Sequence, residues 1–186
     1  MSEGSATLHA DALAVLRAWE PPSAEQEALR DRYVAHLSSH ADGMLRSCVP
    51  DHVTVGALVI SPDGQHVLLN LHRKARRWFH FGGHCEDGDS TLAGVARRET
   101  REESGLADVE VSPIPVQLSE HAVPFCADHG SVQHLDVRYV AVADPEGAHE
   151  TSDESLDVRW WPVAALPDGL EAEMLELIDL ARADVR

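Results

Sequence analysis

The sequence predicts an α+β fold, on three observations. Helical apolar stripes occupy both ends of the chain. Short runs rich in Val, Ile and Leu fill the middle. Helices and strands are mixed without the regular βαβ alternation of a doubly wound sheet. Apolar residues make up 44% of the 186 positions, enough to bury a sizeable core.

Taken in order, Leu13, Leu16 and Trp19 form a helical stripe that Glu20-Pro21-Pro22 ends. Ser23-Ala24-Glu25-Gln26 reads as a capping box, and Leu29, Tyr33 and Leu37 continue that second helix on one face. Residues 1–48 are therefore expected to be a helical extension packed on a main domain of residues 49–186. Val53 to Ile60 reads as a strand, Ser61-Pro62-Asp63-Gly64 as a turn, and His66 to Leu71 as the return strand. A basic loop leads to Trp78-Phe79-His80-Phe81 and a Gly pair. A helix is expected from Thr91 to Ser104, stopped at Gly105. Strands are then expected at Val109-Val111, Pro115-Leu118, Leu135-Val142 and Leu156-Trp161. A last helix carries Leu170, Met174, Leu177, Ile178 and Ala181 on one side.

Thirty-two acidic against fifteen basic residues give a formal charge of -17. A surface that acidic repels nucleic-acid phosphates and anionic lipid, so neither is expected as a main partner. Cys48, Cys85 and Cys126 are odd in number and widely spaced, which signals neither a disulfide framework nor a zinc ribbon. With a polar start lacking a basic and apolar leader, they fit a reducing cytoplasm. The twelve His include no H-E-x-x-H and no tight Cys/His set, so structural or pocket-lining roles are expected of them rather than zinc.

The chemistry concentrates after the Gly pair, in Gly82-Gly83-His84-Cys85-Glu86-Asp87-Gly88-Asp89 and the helix that follows. At about 100° per residue, Glu102 lies about 60° to one side of Glu99 and Glu103 about 40° to the other. Leu92, Val95 and Ala96 fall on the same face, so the carboxylates are aimed at the body of the protein. Like charges at this spacing repel, and burial raises the cost of each. A hard divalent cation removes both penalties.

Gly82 to Asp89, followed by Arg98-Glu99-Thr100-Arg101-Glu102-Glu103-Ser104-Gly105-Leu106, resembles the Nudix box of MutT-like hydrolases. Thr100 stands where an aliphatic residue is usual. Ser90 rather than Glu occupies the first acidic position, with Asp89 beside it and one extra residue in the loop. The resemblance implies a mixed sheet sandwiched between helices (α/β/α), here with an N-terminal helical hairpin. It implies metal-dependent hydrolysis of a nucleoside diphosphate linked to another moiety, with Mg²⁺ or Mn²⁺ as cofactor. By it Glu99, Glu102 and Glu103 are metal ligands, the Gly83 carbonyl is a further ligand, and Arg98 braces the loop. Glu102 and Glu154 are both candidates for the general base. A Nudix-like domain that senses a nucleotide without cleaving it is the alternative.

Three further features remain open at this level. His134, Asp136 and Arg138 alternate with apolar neighbours, so their face either lines the cleft or meets water. Arg73 and Lys74, with Arg76 and Arg77, either clamp a polyphosphate or form a solvated loop. A homodimer through the N-terminal helices is also left open.

Overall fold

Asp51–Ile60 (β1) is the strand around which the others assemble, since its apolar residues serve both faces of a sheet at once. The computed structural model describes residues 3–127, 130–153 and 155–185. Ahead of β1 lie α1 (Glu3–Ala18) and α2 (Ala24–Ser39). After it come β2 (His66–His72), β3 (Trp78–Phe79), β4 (Phe81–His84), α3 (Leu92–Ser104) and β5 (Glu110–Val111). The chain continues with β6 (Gln117–Ala127), β7 (Gly130–Val142), β8 (Ser155–Pro162), a 3₁₀ turn at Val163–Ala165 and α4 (Ala172–Asp184). Among the described residues the strands form one eight-stranded mixed sheet.

One edge of β1 is shared, with β4 antiparallel over Thr54 to Ala57 and β2 antiparallel at Val59 and Ile60. Its other edge pairs in parallel with β7 from end to end. Val53, Val55, Ala57 and Val59 bury against α1, α2 and α3, in one cluster with Leu8, Leu16, Tyr33, Leu92, Val95 and Ala96. Leu58 and Ile60 point the other way and pack on Met174, Leu177, Ile178 and Ala181 of α4. The sheet is thus sandwiched between helices, as expected. Each fully buried Leu or Ile contributes roughly 1.5–3 kcal/mol.

Local signals set the ends of the helices. Ser23 caps α2 by accepting from the Gln26 N–H at 3.3 Å. The second half of the predicted capping box does not form. Gln26 instead turns its amide onto β6, donating to the Leu118 carbonyl at 2.9 Å and accepting from its N–H at 2.6 Å. A buried main-chain pair outcompetes an exposed one, because only the buried groups lack water as an alternative. Thr91 caps α3 by accepting from Gly94 N–H, and Gly105 ends it at a φ of 71°, a left-handed conformation that glycine adopts freely. Asp11 of α1 accepts the Leu92 N–H at 2.8 Å, placing a carboxylate at the positive end of α3.

Two strands run further than their sequence pattern. The expected Pro115-Leu118 strand is observed as Gln117–Ala127, and Leu135-Val142 as Gly130–Val142. Among the described residues β6 pairs only with β7, and the register shifts between Val123 and Ala127, around Pro124. An edge strand tolerates a proline and mixed polarity there, so its pattern is weak. No helix of the described residues is long and apolar enough to cross a membrane.

Candidate functional site

The loop from β4 into α3 brings main chain and carboxylates together. Gly83 pairs with Val55, so it faces α3. A Cβ on Gly83 would sit 2.7 Å from Glu99 Oε2, so only glycine lets this carboxylate lie against the strand. Glu103, one helical turn on, accepts the Gly82 N–H at 3.1 Å. Glu102 lies at the edge of the same face and its side chain is 58% exposed, against 13% for Glu99. The face aimed at the body of the protein therefore carries Glu99 and Glu103, and Glu102 borders solvent. Thr100, at the unusual position, is fully buried with its hydroxyl donating to the Ala96 carbonyl at 2.7 Å.

Arg98 ties this cluster to the loop. Its Nη1 donates to Glu99 at 2.9 Å and to Glu102 at 3.1 Å. Its Nε and Nη2 grip both oxygens of Asp89 at 3.2 and 2.9 Å, and Nη2 also donates to the His84 carbonyl. Partial burial works against the guanidinium's charge, but Asp89 and Glu99 more than offset it and raise its pKa. Burial pushes the Glu99 carboxyl above its ordinary range, with Arg98 opposing. Asp89 is the residue whose role sequence reasoning missed. It is only 9% exposed, and it also accepts the Glu86 N–H at 2.8 Å, closing the loop on itself. The one-residue-longer loop brings Asp89, not Ser90, to Arg98.

The other predicted residues separate from this cluster. Arg73 donates to the main-chain carbonyls of Asp153 and Ser155, Lys74 is exposed, and Arg77 pairs with Glu171. Glu154 lies outside the described residues. On the polar face of β7, Asp136 and Arg138 are each only 5% exposed, and His134 is half-buried. Arg138 donates to Asp136 at 2.8 Å and to Gln117 at 2.9 Å, and Thr54 donates to Asp136 at 3.0 Å. Burial alone would raise the Asp136 pKa, but His80, 3.3 Å away, and Arg138 hold it well below the usual range.

The same sheet face gathers His and Cys that lie far apart in the sequence. No tight set exists in the sequence, yet His52, His84, Cys126 and His134 place four ligand-type atoms within 4.8 Å of one another. They come from β1, β4, β6 and β7, so no sequence spacing could signal them. All three cysteines are free. Burial first, and neighbouring imidazoles second, lower the pKa to about 4 for His84 and about 3 for His134, and His52 is lowered by burial.

A family model described as the NUDIX domain matches residues 50–181. The oxidized purine nucleoside triphosphate hydrolase of Mus musculus is 32% identical over 113 residues, covering 59% of this chain and 65% of that protein. The chain thus spans just under two thirds of that relative's length. Among solved structures, the E. coli dihydroneopterin triphosphate pyrophosphohydrolase superposes with a TM-score of 0.56 at 16% identity, over 71% of this chain and 95% of that one. The NUDIX domain of Shewanella oneidensis NrtR complexed with ADP ribose gives 0.52 at 21% identity, over 82% and 97%. At these identities the structures speak for a shared fold.

Proposed function

The chain belongs to the NUDIX family, and from that premise we propose that it hydrolyses the phosphoanhydride bond of a nucleoside diphosphate linked to another moiety. Residues 49–186 form the hydrolase domain in this reading, and residues 1–48 are an extension whose Asp11 steadies the start of α3. The observation that carries the proposal is the seating of Glu99 against Gly83, with Glu103 on the adjoining main chain and Arg98 spanning Glu99 and Glu102.

These donors are all hard oxygens, and the space a Gly83 Cβ would fill is taken by the Glu99 carboxylate. The set fits a magnesium or manganese ion, held by Glu99, Glu102, Glu103 and the Gly83 carbonyl. Bound there, such an ion supplies charge neutralisation on the diphosphate and a more acidic water. The chain's own residues do the rest. Arg98 keeps Asp89 and the loop in place, so that Gly83 and Glu99 stay in register. Water attacks phosphorus as the anhydride P–O bond breaks, and its proton passes to a carboxylate. Glu102, the most exposed of the three, is our choice of acceptor over Glu154.

The relatives support the substrate class. One is named for a nucleoside triphosphate, another for dihydroneopterin triphosphate, and a third was solved with ADP ribose. The test is turnover with Mg²⁺ over nucleotide sugars, dinucleotides and nucleoside triphosphates, for the native chain and for Glu102→Gln and Glu103→Gln. Phosphate-containing products from the native chain and their loss in both variants are expected. Full metal-dependent turnover in both variants contradicts the assignment. Saturable binding without products identifies a nucleotide-sensing domain instead.

A further inference from the structure

We propose that His52, His84, Cys126 and His134 form a structural zinc site, separate from the carboxylates of α3. Four strands converge on it, and the pairing fixes where the ligands stand. His52 lies opposite His134 in the β1–β7 register, and His84 lies opposite Thr54, two residues along β1 on the same face. His84 Nε2 is 3.1 Å from His52 Nε2 and 3.2 Å from Cys126 Sγ. His134 Nε2 is 3.1 Å from the same sulfur, and His52 Nε2 is 3.5 Å from it. With ordinary zinc–nitrogen and zinc–sulfur bonds, the edges of a tetrahedron are about 3.3–3.6 Å. Four of the six edges are therefore near the length that zinc requires.

The protons point the same way. His52 is fully buried and its Nδ1 lies 3.0 Å from the Cys48 carbonyl, which can only accept. Nδ1 therefore carries the proton and Nε2 turns a lone pair into the cluster. An outer hydrogen bond of this kind is how a protein orients a metal-binding imidazole. Cys126 is 7% exposed, and Arg46 donates to its carbonyl at 3.1 Å, holding that stretch of β6 in place. Zinc binds the thiolate, so the thiol proton is released to solvent as the metal enters.

Donor chemistry sorts the two sites. Imidazole and thiolate select zinc, whereas the carboxylates of α3 suit magnesium. Four protein ligands leave zinc no open position for water, which makes it a fastener and not a Lewis acid. What it fastens is β6 at Cys126 and β7 at His134, onto β1 and β4. His84 is also the residue after Gly83, and its carbonyl accepts from Arg98. Zinc binding therefore stiffens the strand from which the carboxylate site is hung.

The test is metal analysis of the full chain, dialysed against excess Mg²⁺, followed by replacement with Co²⁺. One equivalent of zinc per chain is expected in the native protein and in Glu103→Gln. The cobalt form is expected to show the intense visible bands of a tetrahedral site and a thiolate-to-cobalt charge-transfer band. Cys126→Ser should lose that band, and His134→Ala should bind zinc at least tenfold more weakly. Zinc content unchanged in both variants means adventitious binding elsewhere and overturns the proposal. So does a weak octahedral spectrum without the thiolate band in the native chain, a readout that does not depend on whether a variant folds.

Discussion

The carboxylates of α3 and the imidazoles of the far sheet end flank the same short strand, β4, from opposite faces. Gly83 meets Glu99 on one side, and the His84 ring joins His52 and Cys126 on the other. The first group comes from a single helix, is held by one arginine, and borders solvent at Glu102. The second comes from four strands and has a fully buried member in His52. The first has the makings of a site that opens to a substrate, and the second of one that closes around its metal. Adjacency on one strand lets the closed group support the open one.

The comparison breaks most sharply at the carboxylates. Glu103→Gln is expected to lower kcat on the order of a thousandfold, equivalent to about 4 kcal/mol of lost transition-state stabilisation. Steady-state kinetics at saturating Mg²⁺ reads this, and the variant's zinc content should stay unchanged. A parallel loss of zinc would show that Glu103 is itself needed to hold the zinc and would contradict two separate sites.

Arg98→Ala comes next. It leaves Asp89, 9% exposed, without its guanidinium partner, and it frees the His84 carbonyl. Turnover should fall roughly 10–100-fold, the usual effect of losing a group that orients metal ligands. Thermal unfolding should show a loss of roughly 1–3 kcal/mol. Arg98→Lys should restore little, since one ammonium cannot grip both oxygens of Asp89.

The smallest effect is a pH dependence at Glu99. Its carboxyl ordinarily titrates near 4.5, and burial raises it in the folded chain. Between those two values the folded chain holds a proton that the unfolded chain has released. The contribution of the protonated form to metal-free stability is therefore full below the unfolded value and is lost as pH rises through the window. Mg²⁺ favours the ionised form, so its stabilising increment should grow with pH over the same window. Melting curves of the native chain and of Glu99→Gln, with and without Mg²⁺, check this. The variant should lose both the slope and the increment.

What could be read from the sequence follows the range of each interaction. The capping of α3 by Thr91 and Gly105 is local, as is the spacing that gathers Glu99, Glu102 and Glu103. The strand β1 announced itself through an apolar run that serves two faces. Asp89 escaped because one extra loop residue displaces it from the position a fixed spacing assigns. Most of β6, beyond Leu118, escaped because an edge strand need not alternate. The His/Cys group escaped entirely, since its members are up to 82 positions apart, from His52 to His134, and only strand register unites them. The polar side of β7, open between cleft and water from sequence, is neither solvated nor free at Asp136 and Arg138, which pair with each other.

The central claim is that the α3 carboxylates hold a hard divalent cation, and titration with Mn²⁺ followed by electron paramagnetic resonance tests it most directly. The native chain and Cys126→Ser should both take up the ion, and Glu99→Gln and Glu103→Gln should each bind it at least tenfold more weakly. Equal Mn²⁺ binding by all four proteins, or none by the native chain, would contradict the account.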